Sequence, residues 1–245
     1  MSEQTAQQRT PRTALVTGAT RGIGRAIARA LAADHVVFVG GRSEEDVERL
    51  RAELAGTGPG TRPFVADVTD DEQVAAAWAP LREEFGALNV LVHSAGIAPQ
   101  SLVADAPREM WEQIFDVNVI SVAQLTRLTL PELRAAQGDV VAINSGSGFT
   151  SRASSALYSG TKFALRALTD ALREEEREHG VRVSSVHPGR VATDMQEQLH
   201  EYMGQQYRPE EWIQPEQIAA AVRMAVDAER TSEVEVISVR PSGMR

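Results

Sequence analysis

The chain has 245 residues, 42% hydrophobic and 24% charged, the balance of a soluble globule with room for one large α/β domain or two small ones. It has no cysteine, which excludes disulfides, thiolate metal sites and a cysteine nucleophile, and its five histidines (His35, His93, His179, His187, His200) show no ligand spacing, so no metal is expected. The formal net charge of -9 argues against nucleic acid, and no apolar run approaches the roughly 20 residues that span a bilayer, so neither nucleic acid nor membrane is an expected partner.

The polar start MSEQTAQQRTPR (1–12) lacks the apolar stretch of a secretory signal and reads as a flexible lead-in to one domain over 13–245 of a cytoplasmic protein. From there apolar, β-branched runs alternate with helical periods. TALVTG (13–18) precedes a helix over 22–33, VVFVG (36–40) one over 43–55, and RPFVADV (62–68) one over 70–85. NVLVHSAG (89–96) precedes a long helix over 107–137, DVVAINSG (139–146) one over 155–179, and VRVSSVHPG (181–189) one over 215–229, before EVEVISV (233–239). Runs this continuously apolar are strands covered on both faces, and their alternation with helices predicts a parallel, doubly wound α/β sheet of Rossmann type. Ligands of such sheets lie at the carboxyl ends of the strands, where TGATRGIG, GGRS, ADV, SAG, NSG and HPGR all fall.

The first of these clusters is a strand, a glycine-rich turn and the start of a helix. Gly18, Gly22 and Gly24 permit a tight backbone and close approach, and the helix N-terminus offers free N–H groups to a pyrophosphate. The second strand ends in Gly40, Gly41 and Arg42, where NAD-preferring folds carry an acid for the ribose 2′-hydroxyl. Arg42, with Arg21 reaching from the glycine turn, suits a 2′-phosphate and hence NADP(H), unless both are ordinary solvated arginines. Ser43 either adds a hydroxyl contact or caps the next helix. In ADVTDDE, Asp67 is placed to meet the adenine amino group with Val68 stacking beside it; Thr69 with Glu72 reads as a capping box, and Asp70 is an alternative cap.

The stretch INSGSGFTSRASSALYSGTKFAL (143–165) carries six serines and runs from a strand into a helix that begins near Tyr158 and Lys162. Four residues apart, these two share a helix face. An ammonium close to a phenol, helped by an oxidised nicotinamide, lowers the phenol's pKa toward the range useful for proton exchange.

Taken together, TGATRGIG, ADV, SAG, Asn118, INSGSG followed by YSGTK, and HPGRVAT resemble the short-chain dehydrogenase/reductase family, from Thr13 to about Val239. The resemblance implies a seven-stranded parallel sheet of order 3-2-1-4-5-6-7, with NAD(P)H moving hydride and a Ser-Tyr-Lys triad with an assisting Asn moving protons. Carried onto this chain, Tyr158 is the acid/base, and Lys162 tunes it and binds the nicotinamide ribose. Ser145, thirteen residues before Tyr158, stabilises the charge on the substrate oxygen, and Asn118 holds a water linking Lys162 to solvent, the weaker alternative being a buried Asn satisfied by backbone. Thr20 and Ile23 join the glycine turn as cofactor contacts, and Ser94, Ala95 and Gly96 lie along the cofactor ribose. Pro188 and Gly189 turn the chain over the nicotinamide, with Val191 and Thr193 at its carboxamide. The family's fourth strand usually ends Asn-Asn-Ala-Gly; here it is His93-Ser94-Ala95-Gly96, with a structural role for His93 the stronger reading.

A substrate pocket is expected from Ser147, Phe149 and the chain onward to Leu157, the 97–106 loop, and a lid over 190–212 that contains Met195, Leu199, Tyr202, Met203, Tyr207 and Trp212. These side chains favour a hydrophobic carbonyl or alcohol, or else pack the lid onto the body. The resemblance also implies a homodimer or homotetramer through the helices at 107–137 and 155–179. The expected activity is NADPH-dependent, reversible carbonyl reduction; the alternative is a catalytically weak NADP(H)-binding regulator or redox sensor.

Overall fold

The computed structural model describes residues 11–242, so most of the expected lead-in lies outside the described residues. Seven strands form one parallel sheet: β1 (Arg12–Val16), β2 (His35–Gly41), β3 (Thr61–Val65), β4 (Val90–His93), β5 (Asp139–Ile143), β6 (Arg182–Pro188) and β7 (Val236–Val239). Their order is β3-β2-β1-β4-β5-β6-β7, as the resemblance implied, so the winding reverses between β1 and β4. Arg12, expected in the lead-in, is already paired with His35. Pro63 has no N–H to give, and it sits in β3, at the edge of the sheet, where only one side needs pairing.

The helices are α1 (Gly22–Leu31), α2 (Glu44–Glu53), α3 (Asp71–Phe85), α4 (Arg108–Phe115), α5 (Ser121–Ala136), α6 (Ala156–Glu176), α7 (Asp194–Tyr202) and α8 (Pro215–Val226). Alternation along the strands divides the core. Ala14, Val16, Val37 and Val39 face α1, α2 and α8, packing with Ile27, Leu31, Leu50 and Val222. Leu15, Phe38 and Leu91 face α3, α5 and α6, packing with Trp78, Leu125, Leu133 and Leu172. At the amino end of the sheet Arg182 Nε donates to Asp139 Oδ1 at 2.6 Å, and its Nη1 donates to the carbonyl of Ala228 at 2.9 Å. That buried pair fastens the start of β5 and β6 to the end of α8, leaving the opposite edge of the sheet for the clusters of interest.

Two helical expectations change. The helix expected over 107–137 is interrupted by a π-helical turn, Asp116–Ile120, between α4 and α5. One wide turn rotates α5 relative to α4, and it carries Asn118 inward to 1% exposure. The segment after HPGR, expected only as a lid, contains α7, started by Thr193 Oγ1 accepting from the Gln196 amide at 3.4 Å.

Candidate active site

At the end of β1 the chain enters a left-handed turn at Gly18, φ +60°, where a Cβ would lie 2.9 Å from Ala95 Cα. The glycine turn is therefore seated directly on the Ser94–Ala95 backbone. Thr17 joins them from the same side: its Oγ1 accepts from the amides of Ser94 (3.1 Å) and Ala95 (3.2 Å). Gly24 allows the first turn of α1 to close on this loop, since a Cβ there would fall 2.1 Å from the Gly18 carbonyl oxygen. Gly22 lies against the Thr193 methyl, 3.3 Å from where its own Cβ would be, with Thr20 and Ile23 on either side in sequence.

The first turn of α1 has no side-chain cap and no acidic residue. By contrast, α2 is capped by Ser43, which accepts from the Asp46 amide at 3.2 Å, and α3 by Asp70. The uncapped N–H groups and partial positive charge of α1 thus suit an anion in the glycine cradle. Arg21 and Arg42 flank it, mostly exposed and loosely held: Arg21 lies 3.5 Å from Asp194 and Arg42 3.8 Å from Asp67 Oδ2. These groups fit a phosphorylated dinucleotide.

At the ends of β2 and β3 the hydrogen bonds bear on the alternatives. Ser43 is the cap, one of its two expected roles. Thr69 is not a cap; its amide and hydroxyl donate to Asp67 Oδ1 at 3.0 and 2.8 Å, and Asp70 accepts from the Glu72 and Gln73 amides. Asp67 therefore keeps Oδ2 for other partners, while Val68 lines a small recess with Asp116 and Gln124.

The reactive stretch closes over the ends of β5 and α6. Lys162, 5% exposed, donates from Nζ to the Ile143 carbonyl at 2.9 Å and lies 5.6 Å from the Tyr158 ring centroid. Burial lowers its pKa from 10.5 to about 8. Ser145 hydrogen-bonds the Tyr158 hydroxyl, and its own Oγ accepts from the Ser147 amide at 3.1 Å. The Tyr158 phenol is pushed up from its ordinary value by burial, with the Ser145 hydrogen bond opposing. Removal from water dominates, and the downward pull expected of Lys162 is not among the influences on this phenol.

Asn118 is buried and its side chain is paired within the protein. Its Oδ1 accepts from the Ile97 amide (2.9 Å), and its Nδ2 donates to the Ile97 carbonyl (2.9 Å) and to Thr161 Oγ1 (3.1 Å). The side chain is spent on protein partners. It ties the loop after Gly96 to α6 one turn from Tyr158, whose carbonyl accepts from Thr161 Oγ1 at 2.8 Å.

A cleft of about 330 Å³ lies between the glycine turn, the loop after β4 and α7, lined by Arg21, Gly96, Ile97, Pro99, Gln100, Gln113, Met195, Gln198, Leu199 and Tyr202, among others. Ser145 and Tyr158 do not line it, although Asn118 joins its Ile97 wall to α6. Of the aromatic and apolar lid residues, Met195, Leu199 and Tyr202 do line it. Trp212 does not: it is 8% exposed, against His200 (5.4 Å) and under Arg190 (4.9 Å). Tyr207 packs on His200 as well, at 5.3 Å, so both belong to the lid's own small core. Phe149 turns the other way, onto His187 at 4.3 Å, with Arg166 over it.

His93 is 4% exposed and pairs through Nε2 with Thr126 Oγ1 at 2.9 Å; burial lowers its pKa to about 3, so it is a neutral strut. Val191 is buried and bridges to Ile213, holding the two ends of the lid together. The Gly189 amide donates to Val239 at 2.7 Å, which fixes the turn after Pro188 against β7. Two groups went unread in the sequence: the Ser147 amide on Ser145 Oγ, and His187, whose Nδ1 lies 2.9 Å from the Ser145 carbonyl.

The sequence model described as short chain dehydrogenase matches residues 12–204. Dehydrogenase/reductase SDR family member 11 of Homo sapiens is 32% identical over 245 residues, covering 94% of each chain. An alcohol dehydrogenase from the archaeon Thermococcus sibiricus, solved with 5-hydroxy-NADP, superposes with a TM-score of 0.85 at 28% identity, covering 96% of this chain and 98% of that one. A metagenomic short-chain oxidoreductase in complex with NADP gives 0.81 at 29% identity, over 94% and 97%.

Proposed function

The chain belongs to the short-chain dehydrogenase family and is an oxidoreductase of that family, and from this premise we propose that it is an NADPH-dependent reductase of hydrophobic ketones or aldehydes. The observation that carries the proposal is the meeting of Ser145, Tyr158 and Lys162 beside the Ile143 carbonyl.

When bound, a reduced nicotinamide supplies hydride to the carbonyl carbon. Tyr158 donates the proton that the carbonyl oxygen then takes. Its raised pKa keeps the phenol protonated at neutral pH, which suits it to donate rather than to withdraw a proton. The Ser145 hydroxyl donates to the same oxygen, and the Ser147 amide on its Oγ polarises it in that direction. Lys162, charged at neutral pH, stabilises the phenolate left behind and is the residue to hold the nicotinamide ribose. Because the Asn118 side chain is already paired, a water-holding role there falls to its backbone carbonyl. Gly18, Thr20, Ile23, Gly24 and the free first turn of α1 are the pyrophosphate cradle, and Arg21 and Arg42 are the 2′-phosphate ligands. NADP in the two solved relatives supports that preference.

The cleft is walled by Ile97, Pro99, Met195, Leu199 and Tyr202, with three glutamine amides between them. With Arg21, the one cation among the described residues of the lining, assigned to the proposed 2′-phosphate, these walls favour a largely apolar substrate. Exposed Ile120 and Phe163, 49% and 44%, are the side chains proposed to meet a second copy. Among the described residues no helix is long and apolar enough to cross a membrane; a cytoplasmic location remains part of the proposal. The test is NADPH consumption with a panel of ketones, aldehydes, quinones and diketones, using wild type and Tyr158→Phe. Loss of about 100-fold or more in the variant is expected, the usual worth of a positioned general acid. Equal rates for both proteins on every active compound would refute the assignment.

A further inference from the structure

Behind Ser145, on the side away from the Tyr158 hydroxyl, the ends of β5 and β6 hold a closed ring of hydrogen bonds. The Ser145 amide donates to Asn144 Oδ1 at 2.9 Å, and Asn144 Nδ2 reaches Ser185 Oγ at 3.5 Å. Ser185 Oγ lies 2.9 Å from His187 Nε2, and His187 Nδ1 lies 2.9 Å from the Ser145 carbonyl oxygen. The three side chains are nearly inaccessible, at 3% for Asn144 and 0% for both Ser185 and His187. Phe149 covers the imidazole from outside.

The direction of every bond follows from one atom. A carbonyl oxygen only accepts, so His187 Nδ1 carries the hydrogen. A neutral imidazole then offers a lone pair at Nε2, to which the Ser185 hydroxyl must donate. Ser185 Oγ accepts in turn from the Asn144 amide, whose oxygen takes the Ser145 N–H. Burial, with Arg166, Arg240 and Lys162 as neighbouring cations, keeps the imidazole neutral, so the ring has a single satisfied arrangement. It grips the peptide groups on both sides of the Ser145 Cα, and those fix φ and ψ there and hence the direction of Cβ–Oγ.

We infer that His187, oriented by Ser185, is a positioning residue for Ser145: its Nδ1–H sets the backbone from which the Ser145 hydroxyl meets Tyr158 and the substrate oxygen. The inference rests on the reading of Ser145 and Tyr158 as the reacting pair, and it adds a side chain from β6 that touches neither substrate nor cofactor.

The experiment compares His187→Leu, which removes the donor, with His187→Asn, whose amide can reach the same carbonyl, and Ser185→Ala, which removes only the group that orients Nε2. With a ketone that the wild type reduces, His187→Leu lowers kcat by about 10- to 100-fold, the range for ångström-scale misplacement of a reacting group, while KM for NADPH moves by less than about twofold. His187→Asn returns to within about threefold of wild type, and Ser185→Ala falls between.

A second readout needs no turnover. The chain has three tyrosines, so Tyr202→Phe with Tyr207→Phe leaves Tyr158 alone, and ring-labelled tyrosine reports its titration by NMR with NADPH present. Because the Ser145 hydrogen bond lowers the phenol's pKa, His187→Leu raises the midpoint by about one pH unit and His187→Asn does not. If His187→Leu is too unstable to purify, Ser185→Ala carries both measurements. The inference is overturned by wild-type kcat and midpoint in His187→Leu or, if that variant cannot be purified, in Ser185→Ala, or by equal defects in the Leu and Asn variants at equal folded fraction. Should Tyr158→Phe match wild type on every substrate, the proposed function fails, and the tyrosine midpoint still decides whether His187 positions Ser145.

Discussion

Replacing Lys162 by Met separates what this residue does for chemistry from what it does to stability. In the folded protein burial holds the ammonium pKa at about 8, against 10.5 for an exposed lysine. A gap of about 2.5 units at about 1.4 kcal/mol each means that burying the charge costs about 3 kcal/mol at neutral pH. Against this, Met leaves the Ile143 carbonyl without its lysine donor, a pH-independent loss of about 1–3 kcal/mol. Near pH 7 the two nearly cancel, and Lys162→Met should lie within about 2 kcal/mol of wild type.

The pH dependence escapes that cancellation. The folded pKa lies below the unfolded one, so between pH 8 and 10.5 the unfolded chain keeps a proton that the folded chain has released. Wild-type stability therefore rises with pH across this window relative to the variant, by about 3 kcal/mol in total and never faster than about 1.4 kcal/mol per unit. Below pH 8 the difference is flat. Urea unfolding followed by tryptophan fluorescence, with both proteins measured from pH 7 to 10.5, gives the curve. A difference that stays constant, or that falls as pH rises, refutes the reasoning. Reduction should be lost in the variant throughout.

Arg42→Asp places an acid where a 2′-phosphate ligand is proposed; KM for NADPH should rise by about tenfold or more while KM for NADH changes by less than about threefold, and equal losses for both cofactors would sink the assignment. His93 has a folded pKa of about 3 against 6.5 when exposed, so its contribution is intact above pH 6.5 and is lost as pH falls through the window from 6.5 toward 3. His93→Gln, which can still reach Thr126, should flatten acid sensitivity by about 1.4 kcal/mol per unit in that window; thermal melts at pH 7, 6 and 5 that run parallel for the two proteins would contradict this.

The sheet was legible because its strands are covered on both faces, and uninterrupted runs such as VVFVG leave few alternatives. The glycine turn was legible for the same reason that it is needed: Gly18 and Gly24 stand where a Cβ meets backbone. Less could be read where destination depends on a distant partner. Trp212 and Tyr207 look like pocket walls in sequence, yet His200 and Arg190 draw them into the lid's own packing. A π-helical turn is fixed by the partners its residues meet rather than by a composition of its own, so 107–137 read as one helix and the pairing of Asn118 with Ile97 stayed hidden. The His187 network did leave a trace. Ser185 and His187 are two residues apart on a buried strand, hence on one face, and two polar side chains there require partners.

The uncapped start of α1 reaches beyond the active site. An anion at the first N–H groups of α1 would give them partners, and any ligand that binds only the folded chain adds to its stability by mass action. At a hundredfold excess over Kd the gain is about 2.7 kcal/mol, enough to suppress transient unfolding roughly a hundredfold. The lifetime of this protein against proteolysis would then follow the supply of the ligand that its glycine cradle takes, and its abundance would become a slow record of that supply.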